Sequence, residues 1–467
     1  MNTTAPSSPS WIQDAICWQV YPLGFCGAPP HREDLEGEGY GGAAGENVVH
    51  RLPRLLGWLD HLVGLGANVL LLNPIFDSVS HGYDTLDHRR IDPRLGKDED
   101  LDALVAACHE RGVRVVLDGV FNHVSDRHPV ARRAISVGPK APEGAHIRWA
   151  GEQPYGFEGN ADLVELELED SVVQDAVVDV MTRWLDRGID GWRLDAMYSA
   201  GAAAWAPILE RVRAAHPGAW LLGEVIHGEY PEFADASGAD SITQYELWKA
   251  IWSALHDQNL FELAHALGRH QEFLEADGGA HPLTFVGNHD TTRIASQLED
   301  GRDLAAAYAL LALLPGVPAV YAGDEFGAIG VKEERAGGDH AVRPAFPDDP
   351  ADAADGTHLA VLHPAAAPRI LEVHQRLFSL RRREAWLAGA NVAVREETLE
   401  NTYAEIVLTP RSADGDAAPL TLVLNLGEED RPAPGQVLET VSGADMLDGV
   451  GRAADGMVPA HGIAVGR

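Results

Sequence analysis

The chain has 467 residues, 45% hydrophobic and 23% charged, and its 71 Asp and Glu against 36 Lys and Arg give a formal net charge of −35. That balance excludes nucleic acid and anionic membrane surfaces as partners, because phosphates must be met by cations, and it leaves neutral small molecules. A chain this long buries about 75% of its unfolded surface and needs neither disulfides nor metals to hold a core.

Cys17, Cys26 and Cys108 are odd in number and lack metal-type spacing, which fits a reducing compartment and a cytoplasmic protein. The polar stretch 1–10 has no basic start and no apolar run, so it does not read as a secretory signal. No window approaches 18 consecutive apolar residues, so no membrane span is expected.

Short apolar runs predict eight strands, at residues 15–21, 68–73, 113–118, 189–195, 219–224, 241–245, 283–288 and 318–323. Most are rich in Val, Leu and Ile without polar alternation, as expected of parallel strands covered on both faces. Amphipathic stretches at 51–65, 98–111 and 172–187 suit crossover helices. Eight alternating units predict a closed (β/α)₈ barrel. Two regions break the rhythm. Residues 123–161 are loop-like with several Gly and Pro, and read as a small subdomain inserted after strand three. From about Asn391 short alternating segments, 404–409 and 420–425, predict a C-terminal antiparallel β domain. The expected division is a barrel at 11–122 and 166–388, an insertion at 123–165 and a β domain at 389–467. Residues 329–368, rich in Gly, Pro, Asp and Ala, read as a lid or a mobile loop.

Catalytic groups of such barrels sit at the C-terminal ends of the strands. Here strand three closes with Asp118 to His123, strand four with Arg193 to Asp195, strand five with Glu224, and strand seven with Asn288, His289 and Asp290. A single Asp after an apolar run is commonly a cap; four such ends on one barrel point to a site. Arg193 and Asp195 are two apart and so share a face, where the guanidinium favours the ionised carboxylate expected of a nucleophile. Glu224 ends the neighbouring strand, and two carboxyls about 5–5.5 Å apart are the geometry of retaining glycoside hydrolysis. A partly desolvated position would let Glu224 hold the proton that an acid must give.

The runs DGVFNH (118–123), GWRLDA (191–196), GEV (223–225) and GNHD (287–290) resemble the four signature regions of the α-amylase family of retaining glycoside hydrolases. WQVYP (18–22), HGYDTLDH (81–88) and YAGDE (321–325) are similar to further segments of that family, nearest to its cyclomaltodextrinase, neopullulanase and cyclic maltosyl-maltose hydrolase-like members. The resemblance implies a C-terminal β-sandwich behind the barrel. It implies Asp195 as nucleophile, Glu224 as general acid and base, and Asp290 as the third carboxylate that grips sugar hydroxyls. His123 and His289 match hydroxyl-binding histidines, Arg193 the arginine holding the nucleophile, Tyr83 the aromatic platform, and Asp118 a structural carboxylate. Arg343 could reach a nonreducing-end hydroxyl, and Trp149, Tyr155 and Phe157 could stack on sugar rings.

Departures narrow the expectation. Family members that bind calcium use the asparagine matching Asn122 and a carboxylate that Glu165 could supply, but Ser199 stands where a ligand histidine often stands. No metal or other cofactor is therefore required, and calcium is disfavoured. The same departure removes a Lys-His pair used on long starch chains, which points to small cyclic or branched malto-oligosaccharides. A homodimer is compatible with this group. Capture of the same covalent intermediate by a sugar would give a transglucosylase or isomerase instead. A metal-dependent barrel enzyme conflicts with Arg193 beside Asp195, and a dead binding protein conflicts with the three acids.

Overall fold

The computed structural model describes residues 8–32, 48–276, 279–335, 337–355, 358–411, 417–449 and 454–467; most of the polar stretch 1–10 lies outside them. Eight parallel strands form a closed barrel in chain order: β1 (Cys17–Val20), β2 (Val69–Leu72), β3 (Arg114–Gly119), β4 (Gly191–Leu194), β5 (Trp220–Gly223), β6 (Ser241–Thr243), β7 (His281–Phe285) and β8 (Val317–Tyr321). Seven coincide with the apolar runs to within two residues at each end. Strand seven differs. It stops at Phe285, so Asn288, His289 and Asp290 stand on the turn after it rather than at its end. The backbone donors there are spent on the turn: Asn288 N–H bonds the Thr291 hydroxyl and Asp290 N–H bonds Asn288 Oδ1. A Cβ on Gly287 would also come within 2.8 Å of Asp324 Oδ2.

The chain packs as two compact units. The first contains Val20–Leu59 and Val69–Thr243, and with them β2 to β6. Its helix α1 (Asp98–Glu110) buries Leu101, Leu104, Val105 and Cys108, a 3.6-period stripe, and places three acids in its first turn, where the helix dipole favours them. Helix α2 (Ser171–Asp186) is capped by Asp170, which accepts from Val172 N–H and Val173 N–H. The insertion is built from short pairs, His123–Ser125 against Leu163–Glu165 and Trp149–Ala150 against Gln153–Pro154, with a helix at Pro129–Val137 between them.

The second unit contains Ser10–Gln19, Asp60–Asn68 and Gln244–Arg467. Helix α3 (Leu304–Leu313) has all ten residues buried, as a helix apolar on every side requires. Strands β9 (Asn391–Val394), β10 (Tyr403–Thr409), β11 (Leu420–Asn425), β12 (Val437–Ser442) and β13 (Gly462–Gly466) form an antiparallel sheet in the order β9-β10-β11-β13-β12. Tyr403, Val423 and Ala464 from this sheet pack against Val458 of a two-stranded pair, Arg431–Pro432 with Met457–Val458, which is the core of a small sandwich. Among the described residues no helix is long and apolar enough to cross a membrane.

Burial holds several histidines neutral, pushing His88 down to about 4, His123 and His128 to about 3 and His270 to about 4 from the ordinary 6.5, and lowering His374 as well. Below 6.5 the unfolded chain takes up protons that the folded chain refuses. Folding therefore loses up to about 1.4 kcal/mol per pH unit for each such group. Asp324, which burial pushes up to about 6, acts in the opposite sense, as do Asp77, Glu165 and Asp303, whose carboxyls burial also pushes up. His270 isolates the effect, since comparison with His270→Gln cancels the background of other titrating groups. The wild-type Tm should fall relative to that variant as pH drops from about 6.5 to about 4; parallel curves in thermal melts would contradict a buried neutral histidine.

Candidate active site

In the first unit, register places the acids before side chains are considered. Arg193 on β4 is paired with Asp118 on β3 and with Leu222 on β5, and Leu194 is paired with Gly223. Asp195 and Glu224 therefore leave adjacent strands at the same level. Gly223 keeps that end of β5 close to its neighbours, because a Cβ there would collide with Met197 Sδ.

Arg193 is the centre of this cluster. Its Nη1 lies 2.7 and 2.6 Å from the two Asp118 oxygens and 3.2 Å from Asp195 Oδ1, and its Nη2 lies 2.6 Å from Glu224 Oε1. All four side chains are at least nine-tenths buried. Burial works against the guanidinium charge, but Asp118 and then Glu224 outweigh it and hold Arg193 well above its ordinary value. One buried cation thus serves three carboxylates. The expected Arg193–Asp195 contact is present, and Arg193 also binds Glu224. The second Glu224 oxygen accepts from Ala196 N–H at 2.9 Å. Ala196, directly after Asp195, has φ 47 and ψ 36, a left-handed conformation uncommon for a residue with a Cβ. That backbone turn aims its N–H at Glu224.

Tyr83 and His123 complete the cluster. The Tyr83 hydroxyl donates to Asp118 Oδ2 at 3.0 Å, and Asn73 Nδ2 donates to both the Tyr83 oxygen and Asp118 Oδ2. Asp118 is thereby saturated with donors, which suits a structural carboxylate. His123 Nε2 is buried, has no hydrogen-bond partner, and stands 4.0 Å from Asp195 Oδ2. A buried polar atom without a partner is costly and signals a ligand group that would complete it. One face of the His123 ring is covered by Phe157, with centroids 4.3 Å apart and planes 9° from parallel.

In the second unit, Gln19 Nε2 lies 3.1 Å from His289 Nδ1, and His289 Nε2 lies 2.8 Å from Asp290 Oδ2. An amide nitrogen can only donate, so Nδ1 accepts and the ring proton sits on Nε2, facing Asp290. Arg343 Nη2 binds Asp290 Oδ1 at 2.5 Å, and its Nε donates to the His289 carbonyl at 2.9 Å. The Arg343 side chain is buried and committed to Asp290 and Asp339. The segment carrying it is tied down at the preceding residue, where the Val342 carbonyl accepts from buried Arg293 and from the Tyr321 hydroxyl.

Among the described residues no group of three or more His, Cys, Asp or Glu side chains is placed to hold a metal ion. Glu165 is ion-paired with Arg148 and accepts from the Ser199 hydroxyl, so a side-chain cation already neutralises the acid that calcium would need. Of the three candidate sugar-stacking aromatics, Trp149 donates its indole N–H to the Gly144 carbonyl, Tyr155 lies under the Arg148 guanidinium, and Phe157 covers His123.

Sequence reasoning missed Asn73, Gln19 and the Ala196 amide. The first two carried a signal, a polar residue inside or closing an apolar strand run; a backbone N–H carries none. The geometry can be set beside known proteins. The family profile described as the α-amylase catalytic domain matches residues 55–146 and 144–357. A cyclomaltodextrinase from a Bacillus species is 30% identical over 340 residues, covering 69% of this chain and 61% of that protein. A maltogenic α-amylase from Bacillus acidopullulyticus is 28% identical over 352 residues, covering 69% of this chain and 58% of that protein. The chain thus spans about three-fifths of the length of these relatives. The solved structure of a cyclic α-maltosyl-(1→6)-maltose hydrolase from Arthrobacter globiformis shares the fold, with a TM-score of 0.76, 24% identity, and 98% and 99% of the two chains covered. With the profile matched over most of the barrel and the acids standing on successive strand ends, the chain belongs to the α-amylase family of glycoside hydrolases.

Proposed function

We propose that the protein is a retaining hydrolase of α-glucosidic bonds in small malto-oligosaccharides, cyclic or branched ones foremost, working in the cytoplasm without a metal. The observation that carries this reading is the single buried guanidinium of Arg193, bonded at one end to Asp195 and at the other to Glu224. It keeps Asp195 anionic for attack on the anomeric carbon. The mechanism requires that Glu224, paired with Arg193 in the free site, carries a proton once substrate is bound; as the Asp195 bond forms, it gives that proton to the leaving glycosidic oxygen. Glu224 then takes a proton from water, whose oxygen displaces Asp195 from the anomeric carbon. The unpartnered Nε2 of neutral His123 is suited to hydrogen-bond a sugar hydroxyl beside Asp195. Asp290, oriented by His289 and Arg343, is assigned the third carboxylate role that its motif implies.

The substrate class follows the relatives named as cyclomaltodextrinase and maltogenic amylase. The three buried free thiols suit a reducing cytoplasm. The test is a panel of cyclodextrins, cyclic maltosyl-maltose, linear malto-oligosaccharides, pullulan, trehalose and sucrose, with products followed by NMR as they form. The expected result is cleavage of the cyclic and short malto-substrates with the α-anomer appearing first. A β-anomer appearing first would overturn retention, and turnover confined to sucrose or trehalose would overturn the substrate class.

A further inference from the structure

Asp290 is gripped at both oxygens, by His289 Nε2 and by Arg343 Nη2, yet its side chain stays 31% exposed, so it is aimed rather than buried. What aims Arg343 stands outside the pair itself. Arg343 follows Val342, a fully buried residue whose carbonyl accepts from Arg293 Nη2 at 3.0 Å and from the Tyr321 hydroxyl at 2.8 Å. The Arg293 guanidinium lies over the Tyr321 ring, 4.3 Å from its centroid, and its Nη1 bonds Asp324 Oδ1 at 2.7 Å. Backbone groups follow the same line. Arg293 N–H donates to the Gly330 carbonyl, Gly330 N–H to the Ser296 hydroxyl, and Lys332 N–H to the Thr292 hydroxyl. The start of the segment expected to be a lid or loop is thus fastened beside the turn that carries Asp290.

The Arg293–Asp324 pair is incompletely satisfied. Both side chains are at most 2% exposed, and Arg293 Nε and Asp324 Oδ2 have no hydrogen-bond partner. Two glycines leave space for the pair: a Cβ on Gly287 would come within 2.8 Å of Asp324 Oδ2, and one on Gly323, at φ 101, within 3.2 Å of Arg293 Nη1. A buried ion pair is a weak source of stability, and apolar groups of similar volume often serve as well. Buried polar atoms left without partners therefore call for another reason. We propose that Arg293 is a positioning residue for the reaction: with Asp324 fixing its guanidinium, it holds the Val342 carbonyl and so sets Arg343 on Asp290. The inference rests on the hydrolase reading above and on the third-carboxylate role assigned there to Asp290.

The experiment uses the full chain and an aryl α-maltoside, with kcat and KM expressed per folded molecule and the folded fraction taken from circular dichroism. Arg293→Met combined with Asp324→Asn removes cation and carboxylate together and strands no charge. Tyr321→Phe removes only the second donor to the Val342 carbonyl, and it carries the test if the first variant does not fold. The paired replacement is expected to lower kcat about tenfold and Tyr321→Phe about fivefold, the weights of a charged and a neutral hydrogen bond. KM should stay within about twofold, because Asp290 grips hardest in the transition state. Each loss should shrink to less than about twofold in an Arg343→Gln background, since Arg293 and Tyr321 act through Arg343. A merely structural role would leave the losses undiminished there, and that result overturns the proposal, as does an unchanged kcat in the wild-type background. Asp290→Asn with the wild-type kcat overturns the role of Asp290 instead. Wild-type protein that releases no aryl alcohol overturns the hydrolase reading and the proposal with it.

Discussion

Replacing Asp195 with Asn removes turnover, with kcat lower by about 10⁴-fold or more, while the protein stays folded and still binds sugar. The loss is large because no neighbouring group can stand in. Asp118 is saturated by Arg193, Asn73 and Tyr83, and Glu224 is held by Arg193 and the Ala196 N–H. The fold survives for an equally specific reason. Arg193 faces three buried carboxylates, so neutralising one still leaves it paired with Asp118 and Glu224. Asn also keeps an oxygen to accept from Arg193 and preserves the backbone bond from Asp195 N–H to the Gly119 carbonyl. The expected change in stability is within about 1 kcal/mol. The checks are stopped assays on a cyclodextrin, calorimetric titration with maltose, and a urea melt. Turnover near the wild-type rate would remove Asp195 from the nucleophile's role; a collapsed urea transition would show that the cluster holds the fold through Asp195 itself.

How far the sequence alone reaches is decided by whether a feature depends on local pattern or on folding. The barrel strands are legible because each is a short apolar run covered on both faces, and their C-terminal acids follow in the same reading. Arg193 and Asp195 are two residues apart, so their shared face is fixed by strand periodicity. The contact between Arg193 and Glu224 needs the register of β4 against β5, which no run of residues states. The end of β7 depends on a competition for N–H groups at Asn288 and Asp290, and a turn won. Arg343 shows the limit most clearly. Its loop has no periodicity, and what commits it to Asp290 is the anchoring of Val342 by two buried donors far away in sequence, Arg293 and Tyr321.

Arg193→Met should be the most destabilising single change at the site, by about 3–5 kcal/mol, because it strips the shared cation from three buried carboxylates at once. Against a typical total of about 5–15 kcal/mol that is about a fifth or more of the stability of such a fold. Asp118 keeps its bonds from Asn73 and Tyr83, and Glu224 keeps the Ala196 N–H, so partial donor coverage remains while the countercharge is gone. The penalty is therefore electrostatic, and it predicts its own remedy. Adding Asp118→Asn to Arg193→Met removes one of the stranded charges and should recover part of the loss, although Asp118→Asn alone weakens the protein. A double-mutant cycle from urea melts at neutral pH isolates that coupling. Strict additivity would mean that the Arg193–Asp118 pair is held by packing rather than by charge. Activity should not recover with stability, because the double variant still lacks the cation that Asp195 and Glu224 share. Separate outcomes for the two readouts would assign the Arg193–Asp118 pairing to the fold and the pairing of Arg193 with Asp195 and Glu224 to chemistry.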